Sequence, residues 1–411
     1  ARGVIYENKV VLLFWILYLA VLIGSILFGV FAAIFKRLHR EGLFSIIILA
    51  AAWIFLEYFR AKFLFGFTWG HLGYAVHEFL PMLQIAHYGG VYTLSFLIAL
   101  INIILFYAIY RAREDLVGVE GSVKSILFLR FLFKHWYIYA TPLVLAEAFI
   151  VGAFLLSIEI PTKQKISVAI IQPGSHKTTE EQETVSLSLL ETALKGGSVL
   201  AVVPESAFLG VVFNEDIGDE ETNPYTLTMP RNGESAYKKL IALSKKYESA
   251  SIAMGLPSKK GSESYNSIVV FEDGNPSSIY HKRLLFPFSE RSVGWFPWKT
   301  IEPLGRGDQA QKISVRGEPV DALICSEVLF PELLKESSSR YIIAVGNDGV
   351  FDNLAVAEYN SVIAKFDAVF ARKYVVRAMK TGVSSIIDPY GREVAKSQSS
   401  ADEILIGQVS Y

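Results

Sequence analysis

Four long apolar runs, Val10 to Phe35, Leu43 to Phe59, Tyr88 to Tyr110 and Trp136 to Ile158, dominate the chain ahead of Pro161. Each approaches or exceeds the roughly 20 residues of helix needed to cross a bilayer core. Hydrocarbon offers no partner to an open backbone, so such segments must be helices whose peptide groups pair internally. Beyond Pro161 the apolar residues come in short runs, as they do in a water-soluble domain. The expected division is a bundle of about four transmembrane helices over residues 1–160 and a second domain over residues 161–411. A hydrophobic content of 52 % with only 19 % charged residues is the average over these two parts. A formal net charge of −1 gives no basis for a nucleic-acid partner. One cysteine in the chain excludes an intrachain disulfide and any multi-cysteine metal site. The seven histidines show no ligand spacing, so neither a metal nor a cofactor is expected.

Short loops rich in Lys and Arg favour the cytoplasm. Lys36, Arg37 and Arg40 follow the first run, and Arg111, Arg113, Lys124, Arg130 and Lys134 follow the third, whereas the second is followed only by Arg60 and Lys62. The two richer loops are expected inside, which places the domain after Pro161 on the outer side of a membrane that the chain crosses several times. This topology starts Ala1 outside, directly before a span, and upstream helices are expected to be missing. The first run is too long for a signal peptide and lacks a small-residue cleavage site. Phe65 to Tyr74 mixes aromatics, glycines and His71, and reads either as an interfacial aromatic belt or as a lipid-facing mouth. Glu147, within the fourth run, reads either as a functional intramembrane acid or as a packing residue.

From Lys165 onward, short β runs alternate with helical stretches. Strands are expected at Ile166–Gln172, Val199–Val203, Ser251–Leu256, Ser267–Phe271, Ser277–His281, Val320–Ile324, Tyr341–Gly346, Val383–Ile387 and Glu403–Val409, with helices near Glu180–Lys195, Ser235–Tyr247 and Leu354–Phe370. Wholly apolar runs such as Val199–Val203 suit central strands buried on both faces. The implied architecture is a layered α/β domain. Reactive groups in such folds gather at strand ends, and Glu205, Lys282 and Cys325 each follow one.

A cysteine attacks as thiolate, and a free thiol with a pKa of about 8.5 is mostly protonated at neutral pH. A nearby carboxylate can remove the proton, which suits Glu205. Sulfur adding to a carbonyl creates an oxyanion, which an ammonium such as Lys282 can stabilise. Glu290, in the loop after Lys282, could orient that lysine or the base. Alone, a cysteine after an apolar strand is usually a small buried hydrophobe; the combination is what carries weight.

Several motifs resemble those of the nitrilase (carbon–nitrogen hydrolase) superfamily and, within it, the apolipoprotein N-acyltransferases. They are Val202-Val203-Pro204-Glu205-Ser206, Tyr280 to Glu290, and Ile324-Cys325-Ser326-Glu327 to Glu332, with Tyr265-Asn266-Ser267 and Gly346-Asn347-Asp348 as further signatures. In the membrane half, Gly66 to Tyr74 and Gln84 to Phe96 are similar to the acyltransferases specifically. Ser326 stands where the family usually has Tyr, and Gly349-Val350-Phe351 where it has an aromatic pair. The resemblance implies an α/β fold in which transmembrane helices precede a nitrilase-like αββα sandwich. It further implies Glu205 as base, Lys282 at the oxyanion and Cys325 as nucleophile, with Glu290, Glu327, Asn266 and Asn347 in supporting or substrate-binding roles. The implied reaction moves an acyl chain from a membrane phospholipid onto Cys325 as a thioester, then to the α-amine of a diacylglyceryl apolipoprotein, by a monomer. Two other classes stay open: a membrane-tethered amidase, and a relative that binds lipid or lipoprotein without turnover. Gly294 to Trp298 is either an arm dipping into lipid or a loop packed on the domain.

Overall fold

A computed structural model describes residues 18, 21–22, 24–38, 42–63, 68–116, 140–160, 162, 164–208, 211–215, 231–287, 289–292, 294, 302–308, 312–334, 338–350, 354–398 and 401–411. The chain forms two compact units, one of residues 1–75 and 91–150, the other of residues 76–90 and 151–411.

In the first unit, α1 (Leu43–Phe63) and α2 (Val91–Leu116) pack through Ile46, Leu49, Ala50, Ala99, Ile103, Ile104 and Tyr107. Both contain stretches long and apolar enough to cross a bilayer, Leu43–Lys62 and Val91–Tyr110, of which only 28 % and 39 % is buried. Phe44, Phe55 and Ile109 project outward, as lipid-facing side chains do. Residues 10–17, 19, 20 and 23 of the expected first span and 136–139 of the fourth lie outside the described residues, and the described part of the first span is helical. The described part of the fourth is the apolar helix α3 (Ala140–Ser157), on which Glu147 is exposed. Of the aromatic stretch Phe65–Tyr74, residues 65–67 are outside the described set. His71 and Tyr74 are buried in this unit, where the Leu72 and Gly73 amides donate to Glu57 and Ser95 at 2.9 and 2.8 Å.

The second unit is an αββα sandwich. One sheet runs in the order β13 (Asp402–Ser410), β1 (Lys165–Pro173), β2 (Leu200–Val203), β4 (Ser251–Lys260), β5 (Glu263–Glu272), β6 (Asn275–His281), with β3 (Phe213–Asn214) beside β4. The other runs β12 (Glu393–Lys396), β11 (Ser385–Ile387), β10 (Val375–Met379), β9 (Ile342–Gly346), β8 (Glu318–Ile324), β7 (Ile313–Val315). Alternation along single strands builds the layers, because successive side chains leave a strand on opposite faces. Leu200 and Val202 of β2 point into the core between the sheets, with Val168, Ala253, Ile343 and Val376. Ala201 and Val203 point the other way, to Leu190, Leu194, Tyr237 and Leu240 of the covering helices α4 (Thr179–Lys195) and α5 (Arg231–Lys246). α4 starts where expected because Thr178 and Glu181 form a reciprocal capping box. α6 (Leu354–Ala371) lies against the second sheet and the turn after β8.

Candidate active site

Pro204 ends β2, so Glu205 stands at that strand's carboxyl end. The next residue, Ser206, holds φ +61°, and Cys325, directly after β8, holds φ +52°. Left-handed backbone costs a residue with a side chain about 1–3 kcal/mol and survives only where its surroundings over-determine it. At Cys325 those surroundings are visible. The residue opens a 3₁₀ turn, Cys325–Leu329, and the amide of Ile324 donates to Glu327 at 2.9 Å. Close packing fixes the other side: a Cβ on Gly255 of β4 would lie 2.8 Å from the Glu205 nitrogen and 2.9 Å from its Cα. A glycine there lets β4 approach the Glu205 backbone.

Asn266, on β5, joins the two acidic residues. Its side-chain amide donates to Glu205 at 3.1 Å and to Glu290 at 3.3 Å. Lys282, immediately after β6, is 1 % exposed, and its ammonium meets the two Glu290 oxygens at 2.9 and 2.7 Å. Its backbone is fixed as well, since Lys282 N donates to the Asn266 carbonyl at 2.8 Å and Gly307 N to the Lys282 carbonyl at 2.9 Å. Glu290 also accepts from the Phe286 amide at 2.6 Å, which closes the loop carrying it. Glu205 keeps one buried oxygen, Oε2, that has no hydrogen-bond partner among the described residues.

Glu327 is fully buried and accepts from four donors: the Tyr280 hydroxyl, whose one proton is shared between its two oxygens at 3.0 Å each, and the amides of Arg283, Leu284 and Ile324 at 2.7, 3.0 and 2.9 Å. One carboxyl group thus ties the segment after Lys282 to the turn that bears Cys325. Asn347 is engaged elsewhere. Its Oδ1 accepts from the Thr381 hydroxyl at 2.6 Å and from the Gly349 amide at 3.2 Å.

The electrostatics follow from burial beside mixed charges. Desolvation pushes the Cys325 thiol up to about 12; the Glu205 carboxylate adds to the rise and the Lys282 ammonium opposes it. Burial likewise raises Glu205 above the ordinary carboxylate range, against the pull of Lys282 and Asn266. At Lys282 burial works to lower the pKa, but Cys325, Glu290 and Glu205 outweigh it and hold the ammonium above the usual lysine value. Glu327 is raised by burial despite the donors around it. The arrangement can therefore keep a protonated thiol beside a base of enhanced strength and a fixed positive charge, which is what addition of sulfur to a carbonyl requires.

Three supporting features take their place only in the fold. Gly255 is one. The second is Asp348, whose carboxylate meets Arg377 at 2.8 Å and the Asn360 amide at 2.9 Å, and whose charge reaches both Glu205 and Cys325. The third is His281, buried between Ser267 at 2.8 Å and Glu215 at 3.1 Å and stacked on Tyr265. Asn347-Asp348 is visible as a family signature, but its partners lie on segments that only folding brings near.

The family model for carbon–nitrogen hydrolases matches residues 167–411, well over half of the chain. The chain belongs to the carbon–nitrogen hydrolase family. A second model, the apolipoprotein N-acyltransferase N-terminal domain, matches residues 3–104. That match and the two apolar helices mark the first part of this family member as a membrane helix region. Among curated relatives, the apolipoprotein N-acyltransferase of Geobacter metallireducens is 28 % identical over 93 % of the chain, and that of Thermotoga maritima 28 % over 84 %. The matches span 71 % and 61 % of those two proteins' own lengths. Among solved structures, Saccharomyces cerevisiae Nit3, of branch 10 of the nitrilase superfamily, is 20 % identical with a TM-score of 0.45, covering 62 % of this chain and 93 % of that one.

Proposed function

We propose that this hydrolase-family chain is a membrane acyltransferase that moves an acyl chain from a phospholipid to the α-amine of a diacylglyceryl-cysteine apolipoprotein. The observation that carries the reading is the joint occurrence, in one chain, of the N-acyltransferase N-terminal domain and the Glu205–Asn266–Glu290–Lys282 cluster around Cys325. A soluble hydrolase has no use for the former, and a passive lipid binder has none for the latter.

In the proposed sequence Glu205 takes the proton from Cys325, and the sulfur adds to the donor's ester carbonyl. Lys282, held by Glu290, faces the oxyanion. Collapse expels the lysophospholipid oxygen, which recovers the proton from Glu205 and leaves a thioester on Cys325. The acceptor amine then attacks that thioester, Glu205 takes the amine proton, and the departing sulfur receives it to restore the thiol. Asn266 and Glu327 act as positioning residues, Asn266 by orienting both carboxylates and Glu327 by holding the Cys325 turn. Asn347 is proposed to support the site from its Thr381 contact. Both substrates are membrane-anchored lipids, and the Lys and Arg bias of the loops supports an extracytoplasmic catalytic domain, residues 161–411, on a multi-pass protein of a bacterial cytoplasmic membrane. The proposed acting form is a monomer.

Incubating the purified chain with phosphatidylethanolamine vesicles and a diacylglyceryl-cysteine peptide tests the reaction by peptide mass. Gain of one acyl mass is the expected result. Release of free fatty acid with the peptide unchanged would replace transfer by hydrolysis, and no turnover at all would leave a lipid binder.

A further inference from the structure

The second unit contains a cavity of about 230 Å³ that the proposed reaction does not use. Its wall includes Arg340, Arg372, Lys373, Ser339, Thr162 and Tyr390, and no acidic side chain among the described residues lines it. Ser339, Arg340, Lys373 and Tyr374 precede β9 and β10, whereas Asn347 follows β9 and Cys325 follows the neighbouring β8. Five residues of β9 separate the two ends, roughly 17 Å at about 3.3 Å per residue, so this cavity is not part of the Cys325 site.

The three cations in the wall are not equivalent. Arg340 is paired with Glu318 and Lys373 with Asp321, each at 3.0 Å. Arg372 has no carboxylate partner among the described residues. Its Nη1 donates to the neutral amide oxygen of Gln84 at 2.6 Å, and the guanidinium lies over the Tyr390 ring, 6.0 Å from its centroid. Its other terminal nitrogen, Nη2, is buried without a hydrogen-bond partner. Arg372 is the left-handed residue, φ +54°, that ends α6, and the following amide of Lys373 bonds back to the Ala368 carbonyl at 3.2 Å, so the helix end fixes where the guanidinium starts. A partly buried cation lacking a counter-ion is costly unless an anion completes it. Burial pulls the Arg372 pKa down, and only the Tyr390 and Tyr88 hydroxyls act against that pull.

We propose that this cavity is a binding site for a phosphate group, with Arg372 as its principal ligand. Guanidinium donors make charge-assisted hydrogen bonds with phosphate oxygens, and Nη2, which has no partner among the described residues, is the terminal nitrogen left to make one. Arg340 and Lys373 are already paired with Glu318 and Asp321, which leaves Arg372 as the wall cation to meet an incoming anion. Another wall residue, Ile160, comes three residues after Ser157, the last residue of the apolar helix α3. A phosphate group can reach this point as the head group of a glycerophospholipid or as free phosphate, and the chemistry of recognition is shared.

The test uses the full chain in detergent micelles, titrated calorimetrically with inorganic phosphate, and separately probed by native mass spectrometry for retained phosphatidylglycerol. Arg372→Gln removes the ligand. Thr162→Glu leaves Arg372 in place but brings a carboxylate to an exposed wall position, where it competes as an internal counter-ion. Loss of one charge-assisted contact of this kind is expected to weaken binding about tenfold to a hundredfold. Phosphate binding that both substitutions weaken assigns the site to the free ion, and lipid retention alone, lost in both, assigns it to a head group; either result upholds the proposal. Absence of binding with both probes, or binding unchanged in both variants, overturns it. Should Arg372→Gln fail to fold, Thr162→Glu decides, because position 162 is exposed and its hydroxyl supports no core packing.

Discussion

Burial works against charge at Glu205, Lys282 and Glu327 alike, and the way each meets that penalty decides how the site can react. Lys282 meets it with Glu290, so its ammonium persists throughout the neutral range and is available to an oxyanion. Glu205 meets it only in part, through one bond from Asn266, and its raised pKa makes it a stronger base than a free glutamate. The working form of that base is the carboxylate. The acylation rate is therefore expected to rise with pH along a limb centred above the roughly 4.3 of an ordinary glutamate, and a stopped-flow pH profile that keeps this limb in Glu205→Gln would assign the base to another group. The same substitution separates two properties of the sulfur. Removing the Glu205 charge lifts one cause of the raised Cys325 pKa, so more thiolate is present at a given pH. Iodoacetamide should then label the thiol up to about tenfold faster, while acyl transfer is lost. Equal losses in labelling and transfer would contradict the assigned role. Lys282→Met should reduce the acylation rate about a hundredfold to a thousandfold, as for other lost oxyanion donors, measured by single-turnover release of lysophospholipid.

At the scale of elements, the ends of β2, β6 and β8 do the positioning. Gly255→Ala should push β4 away from the Glu205 backbone, costing about 1–3 kcal/mol as overpacking does and a larger fraction of activity than of fold; thermal unfolding and turnover measured together check this. Glu327→Gln replaces a carboxylate that serves four donors by a group with one acceptor oxygen, and should loosen the Tyr280–Leu284 segment from the Cys325 turn. Hydrogen exchange at the amides of Arg283, Leu284 and Ile324 reads that loosening directly, and unchanged protection would contradict it. The elements legible in sequence are those whose period or composition is local. Leu200–Val203 shows as an unbroken apolar run, and Thr179–Lys195 shows through its Thr178–Glu181 cap. The strand Val375–Met379 is not legible, because Arg377 interrupts its apolar run and only the fold supplies Asp348 to neutralise that charge. The second sheet's last hairpin differs from expectation for a related reason: Val383 and Ser384 leave the strand, which starts at Ser385, and Ser384 bonds Gln172 across the domain instead. Two- to four-residue edge strands such as β3, β7 and β12 carry too few residues for any period to show. The same division holds in the site. Glu205, Lys282 and Cys325 each close a legible strand, while Gly255 and Asp348 act through contacts set by packing.

Across the whole molecule, two chemistries share one chain. Helices α1 and α2 leave most of the surface of their apolar stretches unburied by the described residues. The chain is expected to need detergent or lipid to remain dispersed, and a monodisperse peak in detergent-free size exclusion would contradict the membrane reading. The αββα sandwich supplies the frame that buries Cys325 beside the charges of Glu205 and Lys282, the three groups to which the proposed function assigns the chemistry. Within the proposed function the central claim is that Cys325 becomes acylated by a phospholipid with help from Glu205 and Lys282. Intact-mass spectrometry of the full chain after incubation with phosphatidylethanolamine, without acceptor, tests it most directly. The native chain should carry one added acyl mass, labile to hydroxylamine and absent from Cys325→Ala. An unmodified native chain, or an adduct that persists in Cys325→Ala, would contradict it.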